Sequence, residues 1–519
     1  MSLGHTSEKG RKTRASRPKV RTGCATCKYS ESNRSRHKKC DEGRPSCLAC
    51  IRAGRSCEYR ETVDHRTRAA RWREQGAQTA REAPSDCHPA ALVPIVRAAQ
   101  ANLSPDERRY LDIFRKITAA QCAGYFYDEF WQRLVHQVSE EEPAVCHAVI
   151  SLGSLNYRFL QLRMGDPNGS RAVEVSFSLQ QCNKAISCLR QRLAANRLGP
   201  QATEIALVTC IILVSTLLFQ EDAQSAGRHL RSGLKLLEYL RDKDRQTTAS
   251  LAIAQAFAGL HLGWLSFSTP EDTLDGGAQH PSFPLSIAAS ELAADINEAS
   301  GSLVSLARLV LPSSPQGSSW GAGDPDALLG ELRGWRRQIK ESAVVRQLYL
   351  SHRDRNALTL LELWSEVLYI ILNVETQPLP REAAYDAFFA RFQRAVELAK
   401  ILLAAASTLE PLPIFTVNIG IIAPLFFCGF KCRHWLVRKE ALLLLRRWRR
   451  QEGIWSSNAT ARVLTRVIEI ESEGLTPEEV IPEASRIESI HVDTSGPGSG
   501  LRLRYRRLGG AGPWKTEWL

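Results

Sequence analysis

Six cysteines near the N-terminus constrain the fold of this chain more than any other feature. They lie within 34 residues, spaced C-x2-C-x12-C-x6-C-x2-C-x6-C, at Cys24, Cys27, Cys40, Cys47, Cys50 and Cys57. Thiolates bind zinc tetrahedrally at about 2.3 Å, and each C-x2-C pair can hold one side of a metal ion. Six thiolates supply two zinc ions with four ligands each only if two sulfurs bridge both metals. The segment is too polar to build an apolar core, so metal binding must supply its folding energy.

Two other interpretations of these cysteines stay open. Cys24, Cys27, Cys47 and Cys50 alone form a C-x2-C-x19-C-x2-C pattern, which suits a single-zinc module and leaves Cys40 and Cys57 spare. The cysteines could also be ordinary core thiols, which the polar surroundings disfavour.

The positive charge of the chain is concentrated in the same region. The net charge is +13, and residues 1–75 hold 20 Lys and Arg against 8 Asp and Glu. The other 444 residues carry 48 basic and 47 acidic groups. A basic block of this kind indicates a polyanionic partner, nucleic acid before membrane.

Nothing at the N-terminus resembles a secretory signal, because residues 1–12 lack an apolar run. The longest apolar stretch, residues 205–219, has 15 residues, whereas a bilayer-spanning helix needs about 20. We therefore expect an intracellular chain with no membrane partner. Its 14 cysteines are then reduced and serve as metal ligands or core residues.

The pattern of composition divides the chain into five parts. Residues 1–20 form a basic disordered tail, residues 21–60 a zinc module and residues 61–103 a polar linker; a large helical domain (104–475) and a C-terminal tail (476–519) follow. Ser104-Pro105-Asp106-Glu107 is a good helix start. Further helices are predicted near 357–374, 383–407, 433–451 and 458–473, with a loop at 313–325. The predicted fold class is all-α.

The remainder of the chain offers no second site. The cysteines outside the cluster lack metal spacing and mostly lie in apolar helical segments, and residues 446–450 are interpreted as a solvated helix end. Phosphate-loop, dinucleotide-binding, serine-hydrolase and zinc-protease motifs are absent from the sequence. The sequence therefore predicts no catalytic residues and a protein that is not an enzyme.

Residues 22–28 and 36–57 resemble the fungal binuclear zinc-cluster transcription factors. The resemblance implies two zinc ions per chain, with Cys24 and Cys47 as the bridging ligands, and it matches the family's proline at Pro45. It also implies a short helix in the major groove that reads a CGG triplet. The matching DNA-binding positions are Lys28, Arg36, His37, Lys38 and Lys39. Arg36 and His37 face bases, whereas Lys39 and Lys28 lie nearer the phosphates.

One departure from the family pattern is a longer spacing between the second and third cysteines. The family has six residues there and this chain has twelve, the surplus being roughly Tyr29 to Arg34. The insert could loop outward and leave the metal shell intact, or it could interrupt the recognition helix. The alternative function is therefore a zinc-stabilised helical interaction protein with impaired DNA reading.

Residues 142–153 and 229–237 also resemble the helical regulatory domain of these factors. Together the two resemblances imply a nuclear, sequence-specific DNA-binding regulator of RNA polymerase II transcription. Its partners would be double-stranded DNA and the transcription machinery or coactivators. Residues 58–100 lack sustained apolar heptads, so dimerisation through a coiled coil is not predicted and the oligomeric state stays open.

Overall fold

The computed structural model divides the chain into two compact units, Met1–Pro94 and Ile95–Leu519. The residues that it describes are 26, 40–41, 43, 46–54, 56–57, 98–100, 102–163, 171–195, 199–241, 247–267, 296–311, 324–346, 350–375, 381–405, 414–476, 479–493, 500–508 and 514–519. The predicted N-terminal tail, most of the linker and most of the predicted loop at 313–325 lie outside these residues.

Helices dominate the described residues, as the sequence predicts. The first unit contains α1, Leu48–Arg52. The second unit contains α2 Pro105–Ile113, α3 Ala119–Ala123, α4 Val135–Glu141, α5 Pro143–Arg163, α6 Arg171–Ala195, α7 Pro200–Phe219, α8 Ala223–Arg241, α9 Thr248–Phe267, α10 Ile296–Val310, α11 Pro325–Arg346, α12 His352–Glu375, α13 Arg381–Ala384, α14 Phe389–Ala404, α15 Ile422–Lys431, α16 Trp435–Arg447 and α17 Ser457–Glu471. Short π-helical turns at Phe114–Thr118 and Phe130–Leu134 flank α3, and 3-10 turns lie at Ala98–Gln100, Tyr385–Phe388 and Glu483–Ser485. Helices lie in all four stretches predicted between residues 357 and 473, although the one predicted at 433–451 ends at Arg447 and the one predicted at 383–407 is interrupted by the 3-10 turn Tyr385–Phe388.

The start of the helical region follows its sequence signature. The Ser104 hydroxyl accepts a bond from the Glu107 amide at 3.2 Å, and the Glu107 carboxylate accepts one from the Ser104 amide at 2.8 Å. This reciprocal capping box satisfies two amides that the first turn would otherwise leave unpaired. Pro105 occupies the first helical position, where its missing N–H is harmless.

Two apolar clusters form the interior of the helical unit. The N-terminal cluster is built mainly from α2 to α9, and the C-terminal cluster mainly from α9 to α17. Helix α9 contributes to both, because Ile253 and Phe257 lie in the N-terminal cluster while Ala258 and Leu262 lie in the C-terminal one. The two clusters therefore share one helix.

A small three-stranded sheet closes the N-terminal cluster with residues from far along the chain. Its strands are β1 Phe415–Thr416, β2 Gln451–Glu452 and β3 Trp455–Ser456. Strand β1 pairs with β2 in parallel, and β2 pairs with β3 antiparallel. The Thr416 hydroxyl donates to the carbonyl of Cys122 at 3.1 Å, and the phenyl ring of Phe415 stacks on Phe219.

The residues assigned to a C-terminal tail contain a second, antiparallel sheet. Its strands are β4 Ile487–Asp493, β5 Arg502–Arg507 and β6 Lys515–Trp518, in the order β4-β5-β6. Leu503 and Tyr505 are buried in a small cluster with Val463 and Val467 of α17. The alternation of apolar and charged residues in β5 produces this result, because alternate side chains of a strand face opposite sides.

A buried group of charges fastens this sheet to the helices. The Glu471 carboxylate accepts hydrogen bonds from the guanidinium groups of Arg438 and Arg433 and, at 2.6 Å, from the Ile487 amide at the start of β4. Burial opposes ionisation of Glu471, but Arg438 and Arg433 outweigh it and hold the pKa of this carboxyl below its ordinary value. An ionised Glu471 thus joins α15–α17 to the sheet.

Three of the described helices are long and apolar enough to cross a membrane by length and composition. They are α7, α9 and α12. The apolar segment of α7 spans Gln201–Phe219 and is therefore longer than the 15-residue apolar run at residues 205–219. In this fold 78%, 50% and 67% of their most apolar windows, respectively, are buried within the protein. Their apolar residues supply much of both clusters.

Candidate metal centre and nucleic-acid interface

The best-defined part of the first unit is the short helix α1 and the residues that cap it. Cys47 precedes the helix in an extended conformation, and its sulfur accepts a bond from the Cys50 amide at 3.4 Å. The Asp41 carboxylate accepts bonds from the amides of Leu48 at 3.0 Å and Ala49 at 3.4 Å. Negative groups stabilise this end because the first amides of a helix lack partners and carry partial positive charge.

The thiols of this unit converge. The sulfurs of Cys47, Cys50 and Cys57 all lie within 4.8 Å of one another, and so do the ligand atoms of Cys40, Asp41 and Cys47. Two sulfurs on one tetrahedral zinc ion are about 3.8 Å apart, so the first group fits a shared metal. Cys47 belongs to both groups, and its amide donates to the Cys57 sulfur at 3.3 Å. Such N–H···S bonds orient thiolate ligands from outside the metal shell.

Cysteine side chains make up the buried part of the residues that the structure describes in this unit. Cys47 and Cys50 are 0% and 2% exposed, whereas the apolar side chains of Leu48 and Ile51 are 55% and 59% exposed. The four described thiols thus converge without an apolar core among the described residues, an arrangement that favours a bound metal as the group that stabilises them.

Several predicted site residues lie outside the described part of the chain. These are the cysteines Cys24 and Cys27 and the DNA-binding positions Lys28, Arg36, His37, Lys38 and Lys39. Thr26, which stands between Cys24 and Cys27 in the sequence, is described, and its hydroxyl donates to the Ser56 carbonyl at 2.9 Å. This bond places Thr26 beside the residue that precedes Cys57.

Asp41 is a site residue that the sequence interpretation did not single out. Hydrogen bonds from the Leu48 amide, and further backbone amides, hold its pKa below the ordinary value, so the group is ionised at neutral pH. It reaches the helix from seven residues away, whereas a usual capping residue directly precedes its helix. A sequence pattern that seeks the capping residue directly before the helix therefore misses Asp41.

Most described cysteines of the helical unit are core residues, as the sequence predicts: Cys122, Cys146, Cys428 and Cys432 are buried, whereas Cys182, Cys188 and Cys210 are half-buried. Burial raises the pKa of Cys146 and of Cys210 to about 12, and that of Cys432 to about 11. Such thiols stay neutral and are poor metal ligands. Among the residues that the structure describes, groups of three potential ligands occur in the first unit alone.

The basic run at residues 446–450 is only partly the solvated helix end that the sequence predicts. Arg446, Arg447 and Arg449 are exposed, but Arg450 is buried. Its guanidinium donates to the Tyr125 hydroxyl at 3.2 Å and lies 3.4 Å from the Glu452 carboxylate. Arg450 follows the end of α16, where the chain turns inward to form β2.

Comparison with known proteins finds relatives that are named as fungal transcription regulators. The chain is 25% identical over 266 residues to the Aspercryptin biosynthesis cluster-specific transcription regulator atnN of Emericella nidulans, covering 49% of this chain and 41% of the relative. It is 27% identical over 236 residues to the transcription regulator lscL of Purpureocillium lilacinum, covering 44% and 54%. The transcriptional regulatory protein pro1 of Neurospora crassa is 51% identical over 43 residues, 8% of this chain and 5% of the relative.

These matches cover about half the length of the first two relatives, and no name among them is that of an enzyme. No protein-family model and no solved structure matches the chain. The comparisons thus relate this chain to proteins named as transcription regulators, and the prediction that it is not an enzyme is confirmed.

Proposed function

We propose that this protein is a nuclear regulator of RNA polymerase II transcription that binds double-stranded DNA through a two-zinc, six-cysteine cluster. The relatives' names support the regulatory role. The cluster comprises Cys24, Cys27, Cys40, Cys47, Cys50 and Cys57, in a zinc module of residues 21–60. Residues 104–475 would form the regulatory domain, with the transcription machinery or coactivators as its partners.

One observation carries the proposal: the ligand groups that share Cys47. Cys57 groups with Cys47 and Cys50, and Cys40 groups with Asp41 and Cys47. A single-zinc module would leave Cys40 and Cys57 spare, with no reason to converge on the other sulfurs. A sulfur that belongs to two groups is what a bridging ligand requires, and Cys47 is one of the two positions that the family resemblance assigns to that role.

The zinc count tests this arrangement in the full-length protein. Native mass spectrometry should find two zinc ions in the parent chain and fewer than two after Cys57→Ala, because a shared shell loses a ligand. Cys188→Ala, in helix α6, is the matched control and should retain both ions. One zinc ion in the parent, unchanged by Cys57→Ala, would establish the single-zinc module instead.

DNA reading is the second part of the proposal and rests on the basic residues before Cys40. We propose that Arg36 and His37 contact bases, that Lys28 and Lys39 lie near phosphates, and that Lys38 belongs to the same DNA-binding set. Arg36→Ala should lose roughly 1–3 kcal/mol on a CGG-containing duplex and relax sequence preference, while Lys39→Ala should weaken binding to all duplexes alike. Fluorescence anisotropy on CGG and scrambled duplexes at several salt concentrations measures both effects.

The insert near Tyr29 to Arg34 separates the proposal from its alternative. If the extra residues loop outward, zinc content and duplex affinity both persist, since lengthening an exposed loop costs only about 0.6 kcal/mol per doubling. A chain that holds two zinc ions but binds CGG and scrambled duplexes equally would instead be a zinc-stabilised interaction protein. Equal losses for the two variants on both duplexes would show that the base contact at Arg36 is assigned wrongly.

A further inference from the structure

The sheet formed by β4, β5 and β6 has one face packed on the helices and one face turned outward. Leu503 and Tyr505 are 0% and 4% exposed on the inner face. Because side chains alternate along a strand, Arg502, Arg504 and Arg506 share the opposite face. Three guanidinium groups therefore form a row on the outer face of the central strand.

Two tryptophans accompany this row of arginines. The guanidinium carbons of Arg504 and Arg506 lie 5.2 Å and 5.3 Å from the centre of the Trp514 ring. Trp518 is the direct cross-strand partner of Arg502, whose guanidinium carbon lies 5.9 Å from its ring centre. Trp518 is nevertheless 66% exposed. We call these five residues the arginine–tryptophan face.

The charge of the face is only partly neutralised. Arg502 bonds Asp493 at 2.5 Å, and Arg506 lies 3.9 Å from Glu488. Within the described part of the chain, Arg504 has no ion-pair partner. Residues 500–519 contain five Arg and Lys and one acidic residue, although residues 76–519 are almost neutral as a whole. The excess of positive charge therefore belongs to β5 and β6, because β4 contains Glu488 and Asp493 and no Lys or Arg.

Stabilisation of the sheet alone does not explain every feature of the arginine–tryptophan face. Cross-strand cation–aromatic pairs stabilise a sheet by roughly 0.2–1 kcal/mol each, and one face of a ring suffices for such a pair. That role does not require Trp518 to stay largely exposed at an edge strand. A guanidinium stacked on a ring also keeps its N–H edge available for a phosphate.

We propose that the arginine–tryptophan face binds single-stranded nucleic acid. Phosphates of the strand would accept hydrogen bonds from the arginine row, and an unstacked base would stack on the open face of Trp518. Flat sheets that carry exposed aromatic rings among basic residues suit single strands, whose bases are free to stack, better than duplexes, whose bases already stack on one another. This surface belongs to the second unit, whereas the proposed duplex-binding module belongs to the first.

Titration of the full-length protein with a fluorescent oligothymidine strand tests the proposal. Because the cysteine module is itself proposed to bind DNA, the titration is run in a Cys47→Ala, Cys50→Ala background as well as in the parent. In both, Trp518→Ala should weaken binding roughly 5- to 150-fold, and Trp518→Phe should recover much of it. Arg504→Ala should weaken binding and reduce its salt dependence. Trp435→Ala and Arg337→Ala change exposed residues elsewhere and should leave affinity unchanged.

Three results would overturn the proposal. Equal affinity for parent, Trp518→Ala and Arg504→Ala would leave the face as a device that only stabilises the sheet. Loss of all single-strand binding in the Cys47→Ala, Cys50→Ala background would assign that binding to the cysteine module. Equal weakening of single-stranded and duplex binding by Trp518→Ala would show that no base stacks on the ring. Circular dichroism of each variant verifies that the fold is retained.

Discussion

At the scale of single residues, Glu107 shows how one buried carboxylate ties the first helix of the second unit to a distant one. It accepts bonds from the Ser104 amide at 2.8 Å, the Gln181 amide group at 2.8 Å and the Lys184 ammonium at 2.7 Å. Burial opposes ionisation, but the bonds from Lys184, Ser104 and Gln181 outweigh it and lower the pKa of Glu107 to about 2.

This pKa makes the stability of the helical unit sensitive to acid. The carboxyl is held below its ordinary value of 4.5, so its contribution is complete above about pH 5 and is lost as the pH falls toward 2. Glu107→Gln should therefore lower the free energy of unfolding by about 1–3 kcal/mol at pH 7, and this difference should shrink on acidification. Urea unfolding followed by circular dichroism between pH 7 and 3 measures it. Glu331→Gln, an exposed control, should match the parent throughout; a pH-independent deficit in Glu107→Gln would contradict the assigned pKa.

At the scale of elements, the pair α8 and α9 depends on a missing side chain. A Cβ atom on Gly227 would overlap the indole ring of Trp264, so glycine lets the two helices approach closely. Gly330 in α11 is the opposite case, because a Cβ there would meet no atom within 4 Å. The two glycines have the same helical backbone but different surroundings.

Alanine at the two positions should change stability in opposite directions. Gly227→Ala should lower the free energy of unfolding by about 1–3 kcal/mol, since the added methyl overpacks the interface. Gly330→Ala should raise it by roughly 0.5–1 kcal/mol, since alanine is the better helix former. Thermal melts of both variants beside the parent measure the shifts. A stabilised Gly227→Ala would mean that Trp264 moves aside at no cost.

The same helices mark what the sequence can and cannot predict. The stripe of Leu230, Leu234 and Leu237 is buried as its spacing predicts, because helical periodicity identifies the inward face. Periodicity does not identify which helix packs against that face, so the sequence does not predict the contact of Gly227 with Trp264. Strands β1 to β3 have two residues each, too few to leave an alternating pattern.

The cysteine site was more predictable than the fold around it. Ligand chemistry ties particular residue types to particular spacings, and the described cysteines of the predicted set do converge. The sequence does not predict the role of Asp41, because its hydrogen-bond partners are backbone amides. Such amides occur in every sequence and leave no distinctive residue pattern. The sequence analysis also does not predict the outward face of the C-terminal sheet, because it interprets residues 476–519 as a tail. The alternation of apolar and charged residues in β5 is nevertheless visible in the sequence.

At the scale of the whole molecule, helix α9 joins the two apolar clusters into one interior. Phe257 is fully buried in the N-terminal cluster, and Leu262, a turn and a half further along, is buried in the C-terminal cluster. Because α9 contributes buried side chains to both clusters, unfolding of this helix would remove packing from both. We therefore expect the two clusters to lose structure together.

Phe257→Ala tests this coupling. It should destabilise the helical unit by about 3–5 kcal/mol through the cavity that it leaves. Hydrogen exchange measured by mass spectrometry should quicken in α5 of the N-terminal cluster and, by a similar factor, in α12 of the C-terminal one. Leu309→Ala, at a partly exposed position on α10, should change neither. Faster exchange confined to the N-terminal cluster would show that the two clusters unfold independently.

The sheet of β1 to β3 has a consequence for the protein while it is being made. Thr416, which bonds the carbonyl of Cys122, is 294 positions further along the chain. Translation at about 5–20 residues per second separates the two by roughly 15–60 s. Phe415 follows Phe219 by 196 residues, so for roughly 10–40 s the ribosome carries an N-terminal cluster whose Phe219 lacks its stacking partner. Chaperones that shield apolar nascent chains would therefore act on α7 before β1 emerges, and the yield of folded protein would follow their supply.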